Sequence, residues 1–290
     1  MKNLKKISLS ILIGFFLTVN IAKAETIKFH VPTSQAGNYA QLAKLASEAL
    51  AEKGWQFDLK NTHNLQLSSN TFKETKEPFI LLWLIEAAGS KQDSIYLKPA
   101  DETNLIGMFH TVSPFLCAVK TDLTMDDFLN KKYKVGYTAD RGTEKWINDF
   151  TSHIGNKKHI FVPYKGSGDL DIGVNSGEID FIIASRGPKL MQENKAKCFY
   201  QTGNAEFVGI PTIKSKFPKL ENSTYIIGAY LIAKNIPQEQ LEKLRKDFEE
   251  VKKNHKPLIE FANKLHFSLV FDDIPTQVKT LKIEDSKIPN

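Results

Sequence analysis

In Phe161-Val162-Pro163-Tyr164-Lys165-Gly166-Ser167-Gly168-Asp169-Leu170, a lysine, two glycines and a serine separate an apolar run from a helix-like stretch. Three chemistries use such residues: a phosphate cradle, a serine nucleophile, and backbone capture of a small anion. A phosphate cradle needs G-x-x-x-x-G-K-[ST], with the lysine after the second glycine. Here Lys165 precedes Gly166, so that pattern fails. A nucleophile elbow needs G-x-S-x-G. Lys165 stands two residues before Ser167, and no S-x-x-K occurs anywhere in the chain. Anion capture is left. Gly166 and Gly168 allow close backbone approach, and a helix start beyond the strand presents free N–H groups and a positive dipole end. Ser167 adds a hydroxyl donor. The plain structural alternative is a turn with a serine N-cap.

Two further segments repeat the strand, turn and helix-start arrangement. Thr138-Ala139-Asp140-Arg141-Gly142-Thr143 carries one of only three arginines, Arg141, Arg186 and Arg245, in a chain of 39 Lys plus Arg. In so lysine-rich a chain, an arginine marks a place where a planar fork of donors is wanted. Arg141 and Arg186 each follow a strand end and would suit a carboxylate bidentately. The structural alternative is pairing with acids such as Asp140 or Asp180, and Arg245 reads as a surface residue. Val31-Pro32-Thr33-Ser34-Gln35-Ala36-Gly37-Asn38-Tyr39 supplies the Thr33 and Ser34 hydroxyls and the Gln35 amide before a helix start. Ligands of open α/β sheets bind at the carboxyl ends of strands, and all three loops meet that condition.

Metal and redox chemistry finds no support in the pattern. Histidines at 30, 63, 110, 153, 159, 255 and 266 show no H-x-x-x-H, and the two cysteines form no C-x-x-C. His30 and His110 fall in apolar runs and are expected to be satisfied core residues. Cys117 and Cys198 lie in strand-like apolar runs and read as buried thiols, although an exported chain could pair them. No metal, cofactor or acid–base pair is expected.

The elements that must position these loops alternate. Strands are expected over 26–31, 55–59, 79–85, 105–109, 115–119, 135–137, 160–162, 181–184, 198–201, 225–233 and 268–271. Helices are expected over 38–53, 125–129, 143–154, from about 168, from 237, and over 256–265 and 275–282. Leu241, Leu244, Phe248 and Val251 give the helix after Pro237 one apolar face. Such alternation predicts α/β architecture with mostly parallel sheets.

A basic start, an apolar middle from Ile7 to Ile21 and the end Ala22-Lys23-Ala24 read as a secretory signal, cleaved after Ala24. A membrane anchor would need about 20 apolar residues, and this run is shorter and holds Ser8, Ser10, Thr18 and Asn20. Cleavage would remove Lys2, Lys5, Lys6 and Lys23, leaving 35 basic against 33 acidic residues. That near balance speaks against nucleic-acid binding.

Taken together, "VPTSQAGNYAQLAKLASEAL", "FVPYKGSGDLDIGVNSGEIDFIIAS", "FVGIPTIKSKFPKL" and "DETNLIGMFHTVSPFLCAVK" resemble the substrate-binding proteins of tripartite tricarboxylate transporters, the Bug family. The first loop lacks the family's usual glycine-rich sequence, and residues 61–92 do not show its E-N-x-P-G-A-x-G pattern. The resemblance implies a two-lobed periplasmic binding protein of type II, the Venus flytrap, with a ligand cleft between lobes. Lobe 1 would comprise 25–115 and 226–290, and lobe 2 would comprise 116–225. The implied function is capture of a small organic carboxylate by hinge closure in the periplasm and delivery to integral membrane transporter subunits, by a monomer without catalysis. Rival readings are a ligand-sensing module for a membrane sensor and a hydrolase on the same scaffold. The ligand set expected from the loops and the resemblance is Thr33, Ser34, Gln35, Ala36, Arg141, Gly142, Thr143, Tyr164, Gly166, Ser167, Ser185 and Arg186.

Overall fold

A computed structural model of the chain describes residues 26–33, 35, 37–85, 90–138, 141–156, 158–203, 209–220, 226–288 and 290. The expected signal segment lies outside the described residues. Strand β1 (Ile27–Val31) pairs in parallel with β2 (Phe57–Asn61) and β3 (Phe79–Leu84), joined through α1 (Asn38–Ala51) and α2 (Leu65–Glu74). Gly54, at φ +93°, takes the left-handed turn that stops α1 before β2, a conformation open to glycine without strain. Strand β4 (Leu105–Val112) follows. Only Ser113 and Pro114 then separate it from β5 (Phe115–Ala118), which belongs to a second sheet.

The second sheet is built by α3 (Met125–Asn130), β6 (Lys134–Thr138), α4 (Arg141–His153), β7 (Ile160–Tyr164), α5 (Ser167–Asn175), β8 (Phe181–Ala184), α6 (Gly187–Gln192) and β9 (Lys197–Gln201). After α7 (Ile213–Lys216), β10 (Ile227–Lys234) returns to the first sheet. Helices α8 (Gln238–Asn254) and α9 (Lys256–Lys264), β11 (Ser268–Leu269) and α10 (Ile274–Ser286) complete it. The strand orders are β11-β4-β10-β3-β1-β2 and β7-β6-β8-β5-β9.

The sheets are mixed, not mostly parallel. Among the described residues five of the nine strand pairings are antiparallel, and every one involves β10 or β5 or the short β11. The chain re-enters the first sheet from the other lobe, so β10 runs against both β3 and β4 between which it lies. Helix–strand alternation dictates parallel pairing only while the chain stays in one sheet.

Each sheet has its own core. In the second sheet, Phe181 and Ile183 of β8 face one apolar cluster while Ile182 and Ala184 face another. β5 divides likewise, with Leu116 and Ala118 on one side and Phe115 and Cys117 on the other. Period-two alternation with both faces covered explains why these strands read as unbroken apolar runs. In the first lobe, Leu241, Leu244, Phe248 and Val251 are all buried as one stripe of α8. Phe248 meets Phe109 edge-on at 4.8 Å and lies over Gly107 of β4, where a Cβ would come within 3.2 Å of its ring.

Four sequence expectations need correction. Cys117 and Cys198 form a disulfide, because the β5–β9 register places them directly opposite each other. His30 and His110 are buried but unsatisfied: among the described residues, His30 Nδ1 and both nitrogens of His110 lack a side-chain hydrogen-bond partner. Arg245 is not a surface residue. It donates to the Leu105 carbonyl at 2.8 Å and to that of Glu102, pinning α8 to the start of β4. Strand β7 runs on through Pro163 and Tyr164, so α5 starts at Ser167 with Gly166 as its N-cap.

Candidate functional site

A cleft of about 370 Å³ opens between the two sheets at the carboxyl ends of their parallel strands. From the first lobe it is lined by Pro32 and Thr33 after β1, by Gly37, Asn38 and Tyr39 at the start of α1, and by His63, Leu65, Leu84 and Ile227. From the second come Thr138 at the end of β6, Lys165 and Gly166 between β7 and α5, Ser167 and Asp169 in the first turn of α5, and Ser185 after β8. This is where an α/β sheet leaves a crevice, because adjacent crossover helices pull apart beyond the strand ends.

The two helices that start at the cleft face each other. The Asn38 side-chain amide donates to the Ser167 hydroxyl at 3.4 Å, joining the first residue of α1 to the first residue of α5. Both helices have glycine at the N-cap, Gly37 and Gly166, and neither cap offers a side-chain acceptor. By contrast, α2, α3 and α10 are capped by the side chains of Asn64, Thr124 and Asp273. The first intrahelical bonds are accepted by the Gly37 and Gly166 carbonyls from Gln41 and Leu170 at 3.1 Å. The amides of the three residues before each donor therefore precede the helical ladder. Their partial positive charge faces the cleft.

Thr33 sharpens the picture. Its Oγ1 is buried and has no hydrogen-bond partner among the described residues, although it lines the cleft. A buried hydroxyl without a partner is costly, and such groups usually mark a place where another molecule completes the bonds. His63, also on the cleft wall, adopts φ +53°, an uncommon backbone state for a residue with a side chain.

Of the expected ligand residues, the structure brings Thr33, Gly166, Ser167 and Ser185 together on this cleft. Ser34 and Ala36 lie outside the described residues. Gln35 is exposed in the first loop, and its carbonyl accepts from the Gln41 amide at 3.2 Å. Arg141 and Gly142 open α4, and Thr143 is buried in its first turn. Tyr164 points away from the cleft: its ring lies over Gly173, and its hydroxyl donates to Glu178 at 3.0 Å. Burial, with the Glu178 carboxylate, pushes that phenol up to about 12. The Arg186 guanidinium forks onto Asp171 of α5, with Nε at 3.1 Å from Oδ1, and Lys189 joins the same carboxylate. Its described partner is thus Asp171, while Asp180 pairs with Lys120 and Asp140 lies outside the described residues. Asn38, Tyr39, Thr138 and Lys165, which lie in the loops picked out from the sequence but not in the expected ligand set, also line the cleft, as does His63, which was weighed only as a metal ligand.

Ser167 has an amide donor as its described side-chain partner, and an amide N–H cannot withdraw a proton from the hydroxyl. Among the described residues, no three His, Cys, Asp or Glu side chains come together as a metal would require. No described helix is long and apolar enough to cross a membrane.

No family model matches the chain, and none of the curated proteins matches it. Solved structures do. The periplasmic binding protein BugD is 14% identical with a TM-score of 0.74, covering 90% of this chain and 94% of its own. An R. palustris protein solved with adipate is 14% identical with a TM-score of 0.73, over 90% and 94%. MatC from Rhodopseudomonas palustris, with bound malate, is 13% identical with a TM-score of 0.70, over 90% and 97%. The chain therefore has the two-lobed fold of type II periplasmic binding proteins.

Proposed function

We propose that this chain is an exported solute-binding protein that closes its two lobes over a small organic carboxylate and hands it to a membrane transporter. The observation that carries this reading is the orphaned Thr33 hydroxyl, buried on a cleft where α1 and α5 start without side-chain caps. A carboxylate oxygen there would accept from Thr33 and from amides of both helix starts. Ser167 and Ser185 would add hydroxyls from the second lobe. Arg141, Gly142 and Thr143 open a third helix after β6, and with Ser34, Gln35 and Ala36 they complete the proposed ligand set. Donors from opposite lobes act together only when the cleft is closed, so the ligand favours the closed form by its differential affinity. The adipate and malate in two proteins of the same fold support the ligand class, and the fold of BugD supports a periplasmic location.

A thermal-shift and calorimetric panel of mono-, di- and tricarboxylates and amino acids tests this. At least one carboxylate should raise the melting temperature. Thr33→Val, which keeps the shape and removes the hydroxyl, should weaken that ligand about tenfold, or about 1.4 kcal/mol. Unchanged affinity in Thr33→Val would remove the hydroxyl from the site. Failure of every carboxylate to bind would refute the reading.

A further inference from the structure

A second concavity lies outside the cleft, where the end of α8, helix α9 and the edge strand β11 meet. It encloses about 490 Å³ and shares no lining residue with the cleft. Small-molecule sites typically hold about 300–1,000 Å³ within mostly apolar walls that carry a few placed polar groups. The apolar walls here are Ile259 of α9, Phe267, Leu269 and Phe271. Phe271 is 46% exposed, so a ligand that covers it removes apolar surface from water.

The polar lining is made of donors. Lys253, Asn263 and Ser268 are exposed on it, and the side chains of Asn263 and Ser268 make no hydrogen bond among the described residues. Lys252 also lines the groove, but its side chain is buried and donates to the Met108 carbonyl at 3.1 Å and to that of Val270. It is spent on the fold. The neighbouring acids, Glu249 and Asp272, are not on the lining. Glu249 lies 3.0 Å from Lys252 and 3.2 Å from Lys253, whose side chain is more than half exposed. An ion pair so exposed contributes little in water, and Lys253 is therefore available to another anion. Both ammoniums stand near the Phe271 ring, at 5.4 and 6.0 Å from its centre, so cation and exposed ring lie side by side. His266, also on the lining, meets Gln192 of α6 at 3.0 Å, which sets the groove against the junction of the lobes.

Beyond the solute-binding reading, we propose that this groove is a second ligand site, for a small anion with an apolar body, such as an arylacetate or a medium-chain carboxylate. Its carboxylate takes Lys253 and the Asn263 and Ser268 donors, and its ring or chain covers Phe271, Leu269 and Ile259. A compact hydrophilic acid leaves those walls in water. A neutral aromatic leaves Lys253 unused.

Calorimetry with phenylacetate and hexanoate as probes, and acetate and benzyl alcohol as controls, tests this. At least one probe should bind with a Kd below about 1 mM and about tenfold or more tighter than either control. Lys253→Gln and Phe271→Ala should each weaken that probe about fivefold or more, whereas Lys253→Arg and Thr33→Val should leave its affinity near wild type. Lys253 and Phe271 are both exposed, and melting curves verify that each variant folds. Failure of both probes to bind at that level overturns the site, as does a control that binds equally well. Affinity that survives either Lys253→Gln or Phe271→Ala, or that falls as far in Lys253→Arg as in Lys253→Gln, overturns it too. A probe weakened by Thr33→Val and untouched by the groove variants sits in the cleft, which overturns this inference and leaves the carboxylate reading standing.

Discussion

Among the described residues few buried side-chain polar atoms lack partners, and two of them define different tasks. Thr33 Oγ1 faces the cleft, where a ligand can complete it. His110 does not, because its ring stacks on Phe267 at 3.9 Å, with Tyr39 beside both at 5.5 Å from it and nearly parallel. Burial pushes this imidazole down to about 3, so the folded protein holds it neutral. An unfolded chain protonates it near the ordinary value of about 6.5. Stability is therefore full above that value and is lost as pH falls toward 3, at up to about 1.4 kcal/mol per pH unit for this one group. Burial also lowers His30 and His159, which adds to the slope. Denaturant melts at about pH 7 and 4.5 should show this loss, and His110→Leu should flatten the slope by about one proton. An equal slope in the variant would show that His110 does not titrate with folding. The residue types of the cleft loops were legible in the sequence, but their orientation was not. Arginine scarcity did flag positions that need a fork of donors, yet Arg186 spends its fork on Asp171 and Arg245 on backbone carbonyls.

Elements were easier to read than their pairing. The stripe on α8 and the apolar runs of β3, β8 and β10 are direct consequences of burial, so their periodicity is visible along the chain. Helix α2 was not anticipated, because its buried positions are Ser68 and Ser69 rather than apolar residues. They stay inside by bonding to Thr62 at 2.6 Å and to the Ile95 carbonyl at 2.9 Å. Register is equally silent in sequence, and it is register that sets Cys117 opposite Cys198. That bond closes a loop with a sequence separation of 81, which limits the unfolded chain by roughly 4 kcal/mol in the chain-entropy treatment. Reduction, or Cys117→Ser with Cys198→Ser, should lower the melting temperature by several degrees and leave ligand affinity nearly unchanged, since neither cysteine lines the cleft. A large loss of affinity at full folding would tie the second sheet's edge to the site in a way the geometry does not.

At the scale of the molecule, hydrogen bonds among the described residues join the lobes at a few places. Ser113 and Pro114 carry the chain across, and Thr202 donates to the Pro114 carbonyl at 3.0 Å, so the end of β9 leans on that crossing. At Gly203 a Cβ would overlap the Ser113 hydroxyl and the Gln201 side-chain oxygen, so one of these would have to move. Elsewhere the Gln192 amide reaches the His266 ring at 3.0 Å, and Asn38 reaches Ser167. Few interlobe bonds among the described residues are what a hinge-closing protein would need, with the cleft as the place where added bonds would hold it shut. The two-lobed plan was legible through motifs of the loops, whereas the direction of β10 depends on a return path that local pattern does not encode. The most direct measurement is the structure of the protein crystallised with a carboxylate from the panel that binds. It should show carboxylate oxygens about 3 Å from Thr33 Oγ1 and from backbone amides at the starts of both α1 and α5. A carboxylate held by one lobe alone, or seated away from Thr33, would contradict the account.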